Sequence, residues 1–317
     1  FVAYGIVVTI HMPMCLGMTN IIAPILSPKE FTEFMIKYKP NHTVTVPTYV
    51  EHFVHDKKAD SMNWKCLKNL GIGGDYFSEQ SEIYVNEFLK RHGSSSIAEK
   101  GYGMTENSAT AGVCLVGVNK INSLGIPLPL NTYGIFERGS DKELKYGEEG
   151  EICITGPTEM LGYLNNKEEE DKVIKVHSDG RRWIHSEDVG LIDEDGFLFF
   201  KGRYKRLIPH GGFKLYPSYI EGVIMEHPDI DSCCVIPIPD KVYGASPEAH
   251  IVAKKDKIRE LEKLKEELIE LCQDKLPSYS QLEDFIFEED LPLTSVGKVD
   301  YKKVEKIRIK KLEEGTK

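Results

Sequence analysis

Two glycine turns, each directly after a short apolar stretch, constrain the fold of this chain most strongly. The segment "LKNLGIGGD" (67–75) predicts a strand that ends in a glycine turn. After a helix-like segment at 79–92, "SIAEKGYGMTE" (96–106) repeats the arrangement. Strand, helix and strand in this order are typical of a parallel sheet covered by helices. Ligands of such sheets bind at the carboxyl ends of the strands, where both glycine turns lie.

The pattern changes twice further along the chain. From 116 onward, short β-type stretches alternate with Gly, Pro and Asp turns, which favours a small, mostly antiparallel sheet or barrel. After 204, helical and strand segments mix, and 256–276 predicts an amphipathic helix. We therefore predict an α/β chain in which a parallel sheet subdomain with helices is followed by a small antiparallel β subdomain and a separate α+β C-terminal domain. The predicted bounds are 1–115 and 116–204 within one large domain (1–204), and 205–317 for the small, mobile domain.

Composition excludes several classes of protein. The formal net charge is -10, and an acidic surface repels phosphate backbones, so we expect no nucleic-acid partner. The opening residues before Lys29 carry no charged side chain, but glycine, proline and polar residues interrupt them. We expect this segment to be buried helix and strand, and not a membrane span. The cysteines show no C-x-x-C pair, which fits reduced thiols and a cytoplasmic protein. The sequence leaves the oligomeric state open.

Five motifs follow one another along the chain. They are "GIGGD" (71–75), "GYGMTE" (101–106), "HSEDVG" (185–190), "GRYKRLIPHGGFKLYP" (202–217) and "LPLTSVGKVD" (291–300). In this order they resemble the adenylate-forming (AMP-dependent synthetase/ligase) family, and within it the acyl-CoA synthetases. The resemblance implies a ligase that uses ATP and Mg²⁺ to convert a carboxylic acid into an acyl-adenylate. Coenzyme A then takes the acyl group.

The first two motifs supply candidate nucleotide-binding residues. Tyr102 stands at a predicted strand end, where its ring can stack on adenine, although a core aromatic is the alternative. Gly73, Gly74 and Asp75 would let the backbone approach the base and the acyl chain closely. Gly103 belongs to the same predicted nucleotide site.

The resemblance also implies roles for four polar residues. Thr105 contacts the α-phosphate and Glu106 holds Mg²⁺, with a helix N-cap as the alternative for this pair. Asp188 has two acceptor oxygens that suit the ribose hydroxyls, and a turn aspartate is the alternative. Arg203 would bind the ribose or phosphate side, unless it forms a surface salt bridge. Family members usually carry a threonine and a glycine before the aspartate, where this chain has Ser186 and Glu187.

The last two motifs imply a moving C-terminal domain. Lys205 falls at the family's hinge. Gly211 and Gly212 would line the path of the coenzyme A thiol, with an ordinary hairpin turn as the alternative. Lys298 would bridge the carboxylate and the α-phosphate as a catalytic cation, unless it is a surface lysine. Pro209 stands where many relatives have lysine, which puts one charge contact in doubt.

One family segment is not found in this sequence. It is an early loop rich in Ser, Thr and Gly that wraps the β- and γ-phosphates. We therefore expect the chain to be a C-terminal portion of the enzyme that is inactive or nearly so by itself. A non-catalytic module that binds AMP, an acyl group or a partner is the alternative.

Overall fold

The chain divides into two compact units, Phe1–Phe200 and Lys201–Lys317. A computed structural model describes residues 2–23, 27–254, 260–282, 284–294 and 298–315. The domain bounds predicted from the sequence place a division near the same point. The assignment of a mobile C-terminal domain stays a prediction.

The first unit mixes helices and strands throughout. Its helices are α1 (Ala3–Ile6), α2 (Met12–Cys15), α3 (Pro28–Tyr38), α4 (Pro47–His55), α5 (Lys57–Asp60), α6 (Glu79–Arg91) and α7 (Lys167–Val173). Its strands are β1 (His42–Thr45), β2 (Asn69–Ile72), β3 (Ala98–Tyr102), β4 (Gly112–Val113), β5 (Ile126–Pro127), β6 (Thr132–Phe136), β7 (Gly150–Thr155), β8 (Ile174–Val176), β9 (Arg182–Ile192) and β10 (Leu198–Arg203), the last of which runs across the division.

Strands β1 to β5 form the first sheet in chain order. The β1–β2 and β2–β3 pairs are parallel, whereas β3–β4 and β4–β5 are antiparallel. Two of the covering helices begin at serine caps, since Ser27 forms a capping box with Glu30 at α3 and Ser78 caps α6. Helices and strands share one core, whose largest fully buried side chains include Phe53, Trp64 and Phe88. The predicted parallel sheet with covering helices is therefore confirmed.

The opening segment is helical but not buried. A π-helical turn, Val7–His11, joins α1 and α2, and none of the three pieces contains a buried residue. Tyr4 makes a contact to the first sheet by donating a hydrogen bond to the Thr45 carbonyl at 3.4 Å. The sequence predicted buried helix and strand here. For residues 2–23 this prediction was wrong in two respects, because the residues are not buried and they form no strand. An apolar composition does not show whether another part of the chain covers the segment. Among the described residues no helix is long and apolar enough to cross a membrane.

The second sheet is antiparallel and open. Its order is β10–β9–β7–β6, and β8 pairs with β9. Strand β7 pairs antiparallel with β6 and with β9, and β8 pairs antiparallel with β9. Its apolar core contains Ile152, Ile184 and Leu198, and it also includes Tyr102 from the end of β3. The sequence predicted a small, mostly antiparallel sheet or barrel in this region. The structure confirms the antiparallel sheet, which is open and not closed into a barrel.

The second unit is a smaller α+β body. Its helices are α8 (Pro217–Met225), α9 (Leu261–Lys275) and α10 (Tyr301–Glu313), and its strands are β11 (Ile208–His210), β12 (Phe213–Leu215), β13 (Ile230–Asp240), β14 (Gly244–Ala253) and β15 (Phe285–Phe287). The sheet order is β12–β11–β14–β13, and β15 pairs parallel to β14. The predicted amphipathic helix corresponds to α9, which buries Leu264, Leu268 and Cys272 in the core of this unit. Residues 255–259, where that prediction began, lie outside the described residues.

A partly buried charge network connects the last helix to this sheet. Arg308 of α10 donates to both carboxylate oxygens of Glu248 on β14, at 2.8 and 2.9 Å. His250 lies between Glu248 and Glu288, with its ring nitrogens 3.1 and 3.0 Å from their oxygens. Burial alone would raise the pKa of Glu248, but the hydrogen bonds and charges of His250 and Arg308 lower it to about 2. The carboxylate is therefore ionised in the folded protein well below neutral pH.

Replacing Glu248 tests this network through the pH dependence of stability. Glu248→Gln should lower the free energy of unfolding by about 2 kcal/mol near neutral pH, because it removes a charge-assisted pair. A carboxylate with a lowered pKa stabilises the fold above its ordinary value of 4.5 and loses that effect as the pH falls to about 2. Urea unfolding should therefore show that the difference in unfolding free energy between wild type and Glu248→Gln shrinks as the pH falls from 4.5 to about 2. Glu266→Gln, on the exposed face of α9, is the matched control, and a gap that stays constant with pH would contradict the assignment.

Candidate active site

The carboxyl ends of β2 and β3 lie at one edge of the first sheet, because these strands are parallel neighbours. Gly73 and Gly74 directly follow β2, and the Gly73 amide donates to the Thr45 carbonyl of β1 at 3.1 Å. A Cβ atom at Gly73 would lie 3.1 Å from the ring of Tyr4, so the turn passes close to an aromatic side chain. Asp75 is exposed beside it. The structure thus places the predicted Gly73–Asp75 turn at the same edge as Tyr102.

Strand β3 is fixed by a buried ion pair that the motif analysis did not single out. Lys100 of β3 lies 2.5 Å from Glu82 of α6, and their side chains are 3% and 0% exposed. A buried charge is tolerated when it is paired, and removal of either partner leaves the other uncompensated. Because Lys100 precedes Tyr102 by two positions, this pair sets the position of the strand end that carries the predicted adenine residue.

The loop after β3 folds back tightly on itself. A Cβ atom at Gly103 would collide with the backbone carbonyl of Ala109, so only glycine fits there. The Asn107 side chain accepts a hydrogen bond from the Met104 amide at 2.6 Å and closes the loop. Thr105 begins a single 3₁₀ turn, Thr105–Asn107, and is exposed. The predicted phosphate-contact residue therefore stands on a short, hydrogen-bonded turn at the sheet edge.

Glu106 is held by a tyrosine that sequence reasoning missed. The Tyr163 hydroxyl donates to Glu106 Oε1 at 2.5 Å, and the Met160 amide donates to the Glu106 carbonyl at 2.7 Å. Burial and this carboxylate both raise the pKa of Tyr163, so the phenol remains a donor. Tyr163 lies 57 positions further along the chain, in a loop whose sequence gives no sign of this contact.

Asp188 projects from a bulge in the middle of β9. Glu151 of β7 pairs with Val189 and Cys153 pairs with His185, so β9 carries two more residues than β7 between these points. Ser186 Oγ donates to the Ile152 carbonyl at 2.6 Å and accepts from the Asp188 amide at 3.0 Å. The serine hydroxyl thus forms hydrogen bonds across the bulge, where the backbone pairing of β7 and β9 is interrupted.

The bulge brings Asp188 to the end of the first sheet. The Tyr102 hydroxyl donates to Asp188 Oδ2 at 2.8 Å, and each residue is only 7% exposed. Burial first, and the Asp188 charge second, raise the pKa of Tyr102 well above its usual range, so the phenol is protonated. Two residues that the motifs assigned separately to adenine and ribose are therefore joined directly.

The predicted hinge region follows β10. Arg203 is the last residue of β10 and is exposed, and Lys205 is exposed in the 3₁₀ turn Tyr204–Arg206. The next residue is anchored in the second unit, because the Arg206 guanidinium donates to both carboxylate oxygens of Glu221 on α8. The same guanidinium lies 4.8 Å from the ring centre of Tyr301.

The remaining predicted residues lie within the second unit. Gly211 and Gly212 form the turn between β11 and β12, with φ of 55° and 89°, so the ordinary hairpin geometry is also present. Lys298 is exposed, its amide donates to Thr294 Oγ1 at 3.2 Å, and its carbonyl accepts from the Thr294 amide at 2.7 Å. Residues 295–297, with the flanking Val296 and Gly297 of the motif, lie outside the described residues.

Comparison with known proteins decides the family. The family model described as AMP-binding enzyme matches residues 1–164, and the model described as AMP-binding enzyme C-terminal domain matches residues 219–298. The chain belongs to the AMP-binding enzyme family. The resemblance drawn from the five motifs is thereby confirmed.

Proteins similar to this chain include named ligases. The chain is 31% identical to a probable 4-coumarate–CoA ligase of Dictyostelium discoideum, over 94% of this chain and 52% of the relative. It is 29% identical to a long-chain-fatty-acid–CoA ligase of Bacillus subtilis, over 94% of this chain and 51% of the relative. The chain thus spans about half the length of the curated relatives it matches.

Solved structures show the same fold. An anthranilate CoA ligase in complex with anthranoyl-AMP matches with a TM-score of 0.82 at 20% identity, over 95% of this chain and 57% of that one. An o-succinylbenzoate CoA synthetase of Bacillus subtilis, in complex with ATP and magnesium ion, matches with a TM-score of 0.76 at 23% identity, over 91% of this chain and 56% of that one.

The hydroxyl of Tyr102 should matter to stability through Asp188. Tyr102→Phe keeps the ring but removes the hydroxyl that donates to the buried Asp188 carboxylate, so we expect it to lower the free energy of unfolding by about 2 kcal/mol. Tyr133→Phe is the matched control, because the buried Tyr133 hydroxyl has no hydrogen-bond partner among the described residues. Chemical unfolding should separate the two variants, and equal losses would contradict a specific Tyr102–Asp188 interaction.

Proposed function

We propose that the protein containing this chain uses ATP to activate a carboxylic acid as an acyl-adenylate and then transfers the acyl group to coenzyme A. The hydrogen bond between Tyr102 and Asp188 carries this proposal, because it joins an aromatic ring and a carboxylate at the ligand edge of a parallel sheet. Membership of the AMP-binding enzyme family and the CoA ligases among its relatives support the same reaction.

The nucleotide would be held by residues from both sheets of the first unit. The Tyr102 ring offers a face for adenine, while Gly73, Gly74 and Asp75 border the base at the neighbouring strand end. The Asp188 carboxylate would accept hydrogen bonds from the ribose hydroxyls, since it has two acceptor oxygens. Gly103 lets the backbone pass close to the nucleotide. Arg203 would donate to the ribose or phosphate side.

The carboxylate of Glu106 fits a hard cation such as Mg²⁺. Tyr163 donates to one carboxylate oxygen, and the other oxygen has no hydrogen-bond partner among the described residues. A single carboxylate with phosphate oxygens and water suffices for this ion. When bound, Mg²⁺ would neutralise charge on the phosphates, while Tyr163 would keep Glu106 oriented and Thr105 would donate to the α-phosphate.

In the first step, an oxygen of the carboxylic acid attacks the α-phosphorus, and the bond to pyrophosphate breaks. Negative charge accumulates between the two reactants, and the Lys298 ammonium is a compact cation that would stabilise it. In the second step, the thiol of coenzyme A attacks the acyl carbon and AMP leaves. Rotation about Lys205 would bring the Gly211–Gly212 turn to the thiol path for this step.

Acid-dependent release of pyrophosphate tests the proposed function. The full-length protein should release pyrophosphate from ATP and Mg²⁺ only when a suitable aromatic or fatty acid is added, and should form the thioester when coenzyme A follows. AMP binding without any acid-dependent release, across a panel of both acid classes, would favour the non-catalytic module and contradict the ligase.

Loss of Lys298 should affect the two steps unequally. Lys298→Ala in the full-length protein should slow acyl-adenylate formation about 100-fold, because a charge that stabilises the transition state is removed. Thioester formation from preformed acyl-adenylate should change by less than about threefold, since the carboxylate is already activated. Rapid-quench assays of each half-reaction measure this split, and Lys302→Ala, an exposed lysine of α10, is the control. Equal slowing of both steps would contradict the assigned role.

A further inference from the structure

A row of three buried side chains lies beside Asp188 and has no role in the proposed chemistry. His185 Nδ1 lies 3.0 Å from Glu151 Oε2, and His185 Nε2 lies 2.9 Å from His177 Nε2. The three residues are 3%, 3% and 7% exposed. Two imidazoles and a carboxylate in the interior of a small sheet are costly unless they are paired with one another.

The Glu151 carboxylate is an ionised acceptor. Burial by itself would raise its pKa, but the hydrogen bond and charge of His185 and the amides of Glu187 and Gly139 bring it below its ordinary value. Burial, followed by the influence of His185, lowers the pKa of His177, which favours a neutral ring. The proton on His185 Nδ1 is therefore directed at Glu151, and His177 completes the row behind it.

The nearby thiol of Cys153 is compatible with a hydrogen-bonded row of Glu151, His185 and His177. Its sulfur lies 3.6 Å from His185 Nδ1, and Glu151, Cys153 and His185 together offer three atoms of the kind that bind metals. The carboxylate and imidazole atoms already face each other, however, and burial raises the pKa of the Cys153 thiol. A hydrogen-bonded row explains these contacts without a metal ion.

The other oxygen of Glu151 reaches the backbone of the bulge. Glu151 Oε1 accepts a hydrogen bond from the Glu187 amide at 3.0 Å. Glu187 has a φ of 57°, a conformation that costs a non-glycine residue about 1–2 kcal/mol and needs support from its surroundings. Since Glu187 directly precedes Asp188, the carboxylate fixes the backbone from which the ribose-binding side chain projects.

We infer that Glu151 is a positioning residue of the nucleotide site, which holds Asp188 in place through the Glu187 amide and is itself oriented by His185 and His177. The inference rests on the proposed function, because it assigns Asp188 to the ribose. Glu151 does not touch the nucleotide, so its effect should fall on nucleotide affinity and pass entirely through Asp188.

Substitution of Glu151 tests the inference by binding. In the full-length protein, Glu151→Gln should weaken AMP binding about tenfold in isothermal titration. The neutral glutamine side chain accepts a weaker hydrogen bond from the Glu187 backbone amide than the carboxylate does. It should raise KM for ATP by a similar factor and leave kcat within about twofold, as expected when binding is lost equally in ground and transition states. Glu194→Gln, an exposed carboxylate in the turn after β9, should change neither value.

A double-mutant cycle separates positioning from a general loss of structure. In an Asp188→Asn background, Glu151→Gln should cost less than about twofold more in AMP affinity, because the residue it positions is already disabled. A full additional tenfold loss, or unchanged affinity of the single variant, would overturn the inference. Wild-type protein that binds no AMP would contradict the proposed function and the positioning role together.

A second variant covers the case in which Glu151→Gln does not fold. His185→Gln removes the imidazole that orients the carboxylate but keeps Glu151 itself, so we expect AMP binding to weaken about threefold. Unchanged AMP affinity in a folded His185→Gln protein would overturn the inference in the same way.

Discussion

The hydrogen bond from Tyr102 to Asp188 is the interaction on which the site depends. It joins the end of a parallel strand to a bulge in an antiparallel sheet, across 86 positions of sequence. Both partners are buried, so this hydrogen bond is shielded from competing water. The first sheet alone would provide a glycine-rich edge, and the second alone a carboxylate in a strand. Together they place an aromatic ring beside a carboxylate, the pair that we propose binds adenine and ribose.

Each partner is held by its own buried electrostatic support. The Lys100–Glu82 pair fixes β3 two residues before Tyr102, and the Glu151 carboxylate holds the backbone one residue before Asp188. Buried pairs of this kind add little net stability compared with apolar packing, but breaking one is costly. They are therefore better explained by the geometry they impose at the site. Tyr163 plays a corresponding part for Glu106, whose carboxylate accepts a hydrogen bond from its hydroxyl.

The sequence predicted the sheets well, because strand and helix periods and the glycine turns are local signals. It also named Tyr102 and Asp188 from their motifs, but it gave no sign of their contact, which only the tertiary fold creates. The bulge within 182–192 was not predicted, because β-type residues stand on both sides of it. The polar run at Ser186 to Asp188 within an otherwise apolar strand was the available signal, as was Glu151 inside "GEICIT". The opening segment was expected to be buried because its residues are mostly apolar. This expectation failed because composition does not show which residues will pack against a segment.

The central claim is that Tyr102 and Asp188 form one nucleotide site in which the carboxylate accepts from the ribose. Its most direct test compares the affinity of the full-length protein for AMP and for 2′,3′-dideoxy-AMP, in wild type and in Asp188→Asn. Loss of the hydroxyls should weaken wild-type binding at least about tenfold, as expected for hydrogen bonds to a charged acceptor, and the difference should nearly vanish in the variant. Equal affinity of the wild type for both nucleotides would contradict the account.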